Sequence, residues 1–321
     1  MGLSFTSDAR PPSNTQLLPN RFLRPAFGEL YGFDADADSG GVTPPTIDGA
    51  LTTELSEPLT TELGDFLAFD ENVAYWTPAL LTTENWYDAA DTATITDTAG
   101  VVSQWDDKSG NANHLSVVGS SIFTGRRFRN SSNVMDIEQG SYFRKTAYQL
   151  PADCSIFMMA AIDSINVNTD ALIAIRGGGG NNFQFDSGDG VLPQDQFFAR
   201  FNALNIGTIN TFSPTVDQKG PSIYELIFDL NGDGDLEVFI DGTTFGTTAY
   251  TTQCGANSEL LLFTNRSLNQ YPDGCAAEVI IVPSVLSTTD RQKMEGYLAH
   301  KWGLTAQLDV SHPYKTSRPL A

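Results

Sequence analysis

The stretch Ile223–Ile240, which reads IYELIFDLNGDGDLEVFI, decides the fold. Its first part, Ile223–Leu230, is rich in apolar and aromatic residues, and so is its last part, Leu236–Ile240. The residues between them, Asn231–Gly234, are of types that form tight turns, because glycine and asparagine accept turn backbone angles at low cost. Two such runs joined by a turn predict an antiparallel β-hairpin.

The same pattern extends outward from this hairpin in both directions. Short apolar runs alternate with clusters of Gly, Asn, Asp and Ser such as Gly177–Asn182 and Asp186–Gly190. The other clear runs are Ser155–Ile162, Ala171–Ile175, Phe183–Phe185, Gln196–Phe201, Glu259–Thr264 and Ala276–Val282. Many short strands separated by turns predict an all-β protein, a two-sheet antiparallel jelly-roll sandwich.

A single helical pattern follows near the C-terminus. Ser287–Asp290 has the form of a capping box, and Gly303 ends the periodic segment. Between them, apolar side chains recur at helical spacing and form one face: Met294, Tyr297, Leu298 and Trp302. We expect one C-terminal helix whose apolar face packs against the edge of the sandwich.

Residues 1–75 differ from the rest of the chain and predict an extended, acidic arm. Prolines interrupt any long element at positions 11, 12, 19, 25, 44, 45 and 58, and Ser39–Gly41 marks a flexible joint. The arm carries aromatic residues that need somewhere to dock, so we expect it to lie on its own body or on a partner. The predicted domains are therefore an anchoring arm, residues 1–75, and a sandwich with its helix, residues 76–321.

Composition argues against several kinds of partner. The formal net charge is −21, from 18 Lys and Arg against 39 Asp and Glu. This charge repels phosphate backbones and anionic lipid surfaces, so we expect neither nucleic acid nor a membrane as a partner. Cys154, Cys254 and Cys275 show no CxxC spacing and are expected to be small buried hydrophobes, with a Cys254–Cys275 bridge as the alternative.

Two stretches of the body, Trp86–Asp91 (WYDAAD) and Val101–His114 (VVSQWDDKSGNANH), resemble the opening of concanavalin A-like, laminin-G-like domains in bacteriophage virion proteins and bacterial surface proteins. Leu236–Gly242 is similar to that family's strand ending in Asp-Gly. Ala277–Val282 and Tyr297–Leu304 are similar to its last strand and helix. The resemblance therefore implies a concanavalin A-like sandwich.

The resemblance covers residues 76–315 and leaves the arm unmatched. It says little about function, because this fold hosts lectins, glycosidases, adhesion modules and structural proteins. Trp86 and Trp105 have two interpretations: they stack on sugars, or they pack in the protein interior. The family position favours the interior.

Oxygen-bearing side chains occupy alternate positions of the central hairpin turn, as in a calcium loop: Asp229, Asn231, Asp233 and Asp235. The resemblance allows calcium here, since laminin-G-like domains often carry it. Ile240 stands where an EF-hand has its bidentate Glu, so the EF-hand proper is excluded. Two interpretations stay open: a calcium site, and a polar turn that binds no ion. Calcium is the one cofactor that the sequence suggests.

The sequence offers little that resembles a catalytic centre. Sandwich glycosidases use paired carboxylates on a strand, and the nearest approximation here is Glu225 with Asp229. His114, His300 and His312 stand in no pattern of nucleophile and base. We therefore predict that the protein is not an enzyme.

Together these features favour a structural protein of a bacteriophage virion, either a capsid decoration or a head or tail fibre-like protein. Met1–Ser7 lacks the basic and apolar segments of a secretion signal. In this hypothesis the arm binds other virion proteins, and the lectin-like sandwich projects outward as a candidate for attachment to host glycans. A homo-oligomer or a lattice-bound assembly is expected. The alternatives are a carbohydrate-binding or adhesion module of a cellular surface protein and, third, a glycosidase.

Overall fold

The computed structural model describes residues 74–164, 170–177, 182–187, 197–201 and 220–321. Apart from Ala74 and Tyr75, the predicted arm lies outside these residues. The described part contains sixteen strands, two short 3-10 turns at Pro78–Leu80 and Thr92–Thr94, and one α-helix. The predicted all-β sandwich with one C-terminal helix is thereby confirmed.

The strands, numbered in chain order, form two antiparallel halves. In spatial order, the front half contains β11 (Phe197–Phe201), β10 (Phe183–Ser187), β9 (Asp170–Arg176), β15 (Ser258–Leu262), β7 (Tyr142–Tyr148), β4 (Leu115–Val118), β3 (Val101–Trp105) and β2 (Ile95–Thr98).

The back half contains β5 (Ile122–Arg129), β6 (Ser132–Ile137), β16 (Asp273–Val282), β8 (Asp153–Ser164), β12 (Ser222–Asp229), β13 (Asp235–Ile240) and β14 (Thr243–Ala249), with β1 (Asn85–Asp88) paired to β16. The two halves join at one corner, where Val101 of β3 pairs with Phe123 of β5.

Strand β12 shows how the apolar pattern builds two layers. Tyr224 and Phe228 point into the core between the two halves, whereas Ile223 and Ile227 point to the opposite side of the back sheet. Across the core, the ring of Phe228 lies 5.0 Å from that of Phe183 in the front half. Since full burial of such a side chain is worth roughly 2–3 kcal/mol, this alternation fixes the register of the strand.

The helix α1, Thr288–Trp302, begins and ends where the sequence predicts. The hydroxyl of Ser287 accepts a hydrogen bond from the backbone N–H of Asp290 at 3.2 Å. Gly303 ends the helix with a φ of 69°, a left-handed conformation that favours glycine. Among the described residues there is no helix with the length and apolar character needed to cross a bilayer.

The apolar side of α1 covers the outer face of the back sheet and not, as the sequence analysis expected, its edge. Met294, Leu298 and Trp302 pack there against Phe157 of β8 and Ile280 of β16. The back sheet is therefore buried on both faces, and any polar side chain on its outer face must find its partners beneath the helix.

The first and last described residues are paired with each other. The backbone N–H of Trp76 donates to the carbonyl of Pro319 at 2.9 Å, and that of Ala321 donates to Ala74 at 2.9 Å. Tyr75 lies opposite Leu320 in this short antiparallel bridge. The pairing places two exposed side chains beside the C-terminal half of α1.

Candidate functional site

A groove runs along this pairing, and Tyr75 forms its rim. The side chain of Tyr75 is 52% exposed. It borders a cavity of about 570 Å³ that is lined by Tyr75, Tyr314, Ser317, Arg318 and Leu320. It also borders a narrower cavity of about 150 Å³ that is lined by Tyr75, Trp76, Thr77, Tyr297, Lys301, Arg318 and Pro319. Because both cavities share Tyr75 and Arg318, we treat them as one site and call it the Tyr75 groove.

Local strand geometry explains why one aromatic ring of the groove is open and the next is closed. Successive side chains of an extended segment point in opposite directions. Tyr75 therefore faces solvent, whereas Trp76 is buried and packs edge-on against Tyr297 of α1 at 6.2 Å. Trp76 fixes the segment to the helix, and Tyr75 stays available for a ligand.

Arg318 supplies the hydrogen-bond donors of the groove. Its guanidinium lies 5.5 Å from the centre of the Tyr75 ring. No carboxylate among the described residues forms an ion pair with Arg318, although the chain has more than twice as many acidic as basic residues. A guanidinium carries several N–H donors in a planar fork, and here they are open to a bound molecule.

The floor of the groove is held by a buried carboxylate, Glu278 of β16. Its Oε1 accepts hydrogen bonds from Trp86 Nε1 at 2.8 Å and from the Tyr297 hydroxyl at 3.0 Å. Its Oε2 accepts from Lys301 Nζ at 2.7 Å and from Trp302 Nε1 at 2.8 Å. Both carboxylate oxygens are thus fully used, and the two groove residues on α1 are fixed in place.

Burial raises the pKa of Glu278, and the ammonium group of Lys301 opposes that rise. Lys301 also pairs with Asp88 at 2.7 Å, and Asp88 pairs in turn with Lys108 at 3.1 Å. Burial, followed by the charge of Glu278, raises the pKa of Tyr297, so its hydroxyl keeps its proton and remains a donor. The floor of the groove is therefore a charge-balanced network.

The two tryptophans of the resembling stretches occupy different places. Trp105 is fully buried between the two halves of the sandwich, 5.7 Å from the ring of Tyr87 and 5.3 Å from that of Phe143. Trp86 is half-buried on the helix side, where it bonds to Glu278 and has Lys108 above its ring at 4.6 Å. Trp105 therefore lies in the interior, as the family position suggests, whereas Trp86 is only partly covered.

The structure places the calcium candidates Asp229, Asn231, Asp233 and Asp235 on the turn between β12 and β13. The Asp229 carboxylate accepts backbone N–H bonds from Gly232 at 2.7 Å and from Asp233 at 3.3 Å. The side chain of Asn231 donates to Asp153 at 2.8 Å. In the described part of the chain, no three acidic, histidine or cysteine side chains converge as metal ligands.

This geometry fits the polar turn better than a cation site, because the oxygens of Asp229 already face the positive ends of backbone N–H groups. Calcium at this turn stays a prediction, and no step below depends on it.

The carboxylate pair suggested by the sequence is not brought together in an open cleft. Glu225 is fully buried beneath α1, where Arg291 Nη1 lies 3.4 Å from its Oε2. Asp229 caps its own turn. His312 donates to or accepts from Glu295 at 2.7 Å, and this pair also lies below the helix. Among the described residues, these carboxylates meet other protein groups and line none of the cavities of the Tyr75 groove.

The remaining prediction concerns the cysteines. All three are buried and free, which confirms their expected role as small hydrophobes, and the alternative Cys254–Cys275 bridge is absent.

Two arginines of β5 contact neighbouring elements. Arg126 pairs with Glu138 at 3.2 Å, and Arg129 donates to the carbonyl of Trp302 at 2.9 Å. Arg129 thus caps the C-terminal end of α1.

Comparison with known proteins adds information about the fold. No protein-family model matches the sequence, and no curated protein is similar to it. Among solved structures, a Trypanosoma rangeli sialidase complex matches with a TM-score of 0.50 and 11% identity, over 78% of this chain and 36% of the sialidase.

Domain 4 of an extracellular arabinanase from Geobacillus stearothermophilus, solved with arabinotriose, matches with a TM-score of 0.48 and 12% identity, over 65% of this chain and 95% of that domain. The binding domain of Paraclostridial Mosquitocidal Protein 1 matches with a TM-score of 0.38 and 14% identity, over 67% of this chain and 52% of the other. At these identities, the likeness concerns the fold alone.

The prediction that the protein is not an enzyme is wrong, because it excluded enzymes that share this fold. The sialidase, which shares the fold, is an enzyme. The prediction rested on the absence of a local string of carboxylates, but catalytic groups can come from distant strands of one sheet. We withdraw the exclusion, and the likeness transfers no reaction to this chain.

The sequence analysis missed the Tyr75 groove and its Glu278 floor. Tyr75 and Leu320 are distant in sequence and carry no local motif. Glu278 did leave a signal: it is the one charged residue in the apolar run Ala276–Val282. A carboxylate in a strand that is buried on both faces requires buried donors.

Proposed function

We propose that the body of this protein binds a carbohydrate in the Tyr75 groove. The observation that supports this most is the exposed ring of Tyr75 beside the guanidinium of Arg318, which forms no ion pair within the described part of the chain, on a cavity of about 570 Å³. Ligand sites are commonly clefts of about 300–1,000 Å³, lined by aromatic side chains and a few well-placed polar groups.

The chemistry of the groove suits a sugar. A pyranose ring presents a face of C–H groups that packs on an aromatic ring, and its hydroxyls need planar donors and acceptors at the rim. Tyr75 and Tyr314 provide the rings, Arg318 the donors and Ser317 a hydroxyl that both donates and accepts. A neutral glycan would also escape repulsion by the net charge of −21.

For the setting of this body, we propose a bacteriophage virion in which the predicted arm, residues 1–75, anchors the chain to other virion proteins through the part that precedes Ala74 and Tyr75, since these two residues pair with the C-terminus of the body. The resemblance of residues 76–315 to virion proteins of the laminin-G-like kind supports this setting. The groove would then hold a glycan on the host surface. A carbohydrate-binding module of a cellular surface protein would use the same groove without the anchoring role.

Glycan-array screening of the full chain, followed by titration calorimetry with the best glycan, tests the binding proposal. Tyr75→Ala is expected to weaken binding by about tenfold or more, since loss of one stacked ring costs about 1–3 kcal/mol. The matched control is Phe128→Ala, because Phe128 is 61% exposed and belongs to the β5 strand, away from the groove. An unchanged affinity in Tyr75→Ala, or an array with no glycan bound, would overturn the proposal.

Limited proteolysis tests the setting. The isolated protein and its native assembly are digested, and the cut sites are identified by mass spectrometry. Cleavage within residues 1–75 in isolation, with protection in the assembly, is expected of an anchor. Resistance of this segment in the isolated protein would count against anchoring and in favour of a self-contained module.

A further inference from the structure

The outer face of the front half carries a second cluster of functional groups, distinct from the Tyr75 groove. In the strand register, Arg144 of β7 lies opposite Leu261 of β15, and Arg176 of β9 lies opposite Glu259 of β15. Residues paired across strands share a face, and Glu259 is two positions from Leu261. Both arginines therefore stand side by side with Glu259 between them.

One carboxylate serves both guanidiniums. Arg176 Nη1 lies 2.8 Å from Glu259, and Arg144 Nη1 lies 3.8 Å from it. The arginine side chains remain 45% and 37% exposed, respectively. Among the described residues neither guanidinium has another hydrogen-bond partner, so most of their N–H donors face solvent. This cluster carries a surplus positive charge on a protein whose net charge is −21.

A cleft opens beside the arginines because the β7 strand bulges. The register shifts between Ser258 and Leu260, so Thr146 and Ala147 both face Glu259 on the partner strand. An extra residue of this kind bends a strand and disrupts the ladder locally. The result is a cavity of about 320 Å³, lined by Thr146, Ala147, Arg176, Gly177, Asn257 and Glu259.

An apolar wall lies next to the cluster. The rings of Tyr142 and Tyr271 stack at 5.9 Å and 22°, and they pack with the buried residues Ala174 and Leu261. The cleft itself is lined by other residues, but Arg144 lies on the same strand as Tyr142, two positions away. A charge beside such a wall is less screened than a charge in open water, so an anionic group close to Arg144 would feel its charge more strongly.

We propose that Arg176, which lines this cleft, and Arg144, which lies 3.8 Å from Glu259 at its edge, bind the carboxylate of an acidic saccharide of the uronic acid kind. Both guanidiniums already lie beside the carboxylate of Glu259, and fork-shaped guanidinium donors match carboxylate oxygens. The hydroxyl of Thr146 and the amide of Asn257 stand where a sugar's hydroxyls would be. Densely charged polyanions are disfavoured by the net charge, whereas one carboxylate per sugar is compatible with it. This site does not depend on the Tyr75 groove.

The test compares hexagalacturonate with its methyl ester by titration calorimetry on the full chain, at an ionic strength of about 0.15 M. The ester keeps the shape of the sugar and removes its charge. The wild type is expected to bind the acid about tenfold more tightly than the ester. The double variant Arg144→Gln/Arg176→Gln is expected to lose this preference.

Two controls isolate the site. Arg126→Gln removes an exposed arginine that pairs with Glu138, just after β6, and Tyr75→Ala removes the rim of the other groove; both are expected to keep the preference for the acid. If the double glutamine variant does not fold, Arg144→Lys/Arg176→Lys keeps the charge but loses the fork, and a weaker preference is expected. Absence of a preference in the wild type, or its survival in both double variants, would contradict the proposal.

Discussion

Two carboxylates lie under the same helix, and they differ in how many hydrogen-bond donors surround them. Glu278 of β16 and Glu225 of β12 are both fully buried on the outer face of the back sheet, beneath α1. Four side-chain donors surround Glu278. Glu225 has Arg291 at 3.4 Å, and its Oε1 has no partner among the described residues.

Burial raises the pKa of both carboxylates, but Lys301 opposes the rise at Glu278, whereas a neighbouring carboxylate adds to it at Glu225. With donors on both oxygens, Glu278 has no place for a proton of its own. Glu225 instead lies beside a second buried carboxylate, Glu295, and burial, followed by repulsion from Glu295, raises its pKa well above the usual range. Of these two carboxylates, Glu278 is the one that contacts residues of the Tyr75 groove, so the C-terminal half of α1 is the half that supports the proposed site.

The largest effect is expected for Glu278→Gln. An amide in place of this carboxylate points one N–H₂ group at the donors and leaves Lys301 with one fewer counter-charge. We expect the free energy of unfolding to fall by about 3 kcal/mol or more, the usual cost of breaking a buried ion pair. Urea denaturation measures this change, and glycan binding should weaken because Tyr297 and Lys301 lose their support.

Glu225→Gln is the matched control, since it makes the same atomic change on the same face of the sheet. We expect it to change the free energy of unfolding by less than about 1 kcal/mol near neutral pH and to leave glycan binding unchanged. Equal losses in the two variants would contradict the distinction between anchor and proton carrier.

The second effect is a pH dependence that belongs to Glu225. Its pKa is about 4.3 in the unfolded chain and raised in the folded protein, so the folded state binds the extra proton. The stabilisation from this proton is complete below the unfolded pKa and is lost as pH rises through the folded pKa. Glutamine imitates the protonated side chain and avoids this loss.

Urea denaturation of wild type and Glu225→Gln from pH 4 to pH 9 measures the effect. The groups that face Glu225 are Glu295 and Arg291 of α1, with His312 behind Glu295. Because Glu225 and Glu295 repel each other, the difference between the two curves reports the titration of this pair. The variant should gain stability relative to the wild type as pH rises, and a constant difference would show that Glu225 is ionised throughout.

The smallest effect is expected at the outer end of the Glu278 network. Lys108 is 22% exposed and pairs with Asp88 and Asp91 at 3.1 and 2.8 Å. Because Asp88 still has its ion pair with Lys301 after this change, Lys108→Met should lower the free energy of unfolding by about 1 kcal/mol or less. A loss as large as that of Glu278→Gln would mean that the network acts as one unit, without a distinct anchor.

Local chemistry made much of the fold predictable. The hairpin of β12 and β13 followed from apolar runs around a glycine-rich turn, and α1 followed from Ser287, the apolar spacing and Gly303. Each of these depends on neighbours in sequence, which a pattern can reveal.

The candidate sites depend on distant neighbours. Tyr75 meets Leu320 at the opposite end of the chain, and Trp86 meets Glu278 across the β1 and β16 pairing. Arg144 and Arg176 share Glu259 only because three strands from different parts of the chain lie side by side. A pattern could predict that Glu278 needs donors but could not name them.

A crystal structure of the protein with the glycan selected by the array is the decisive test of binding in the Tyr75 groove. We expect a sugar ring stacked on Tyr75, with a hydroxyl accepting an N–H bond from Arg318. A glycan that binds elsewhere on the body, with the Tyr75 groove empty, would contradict it.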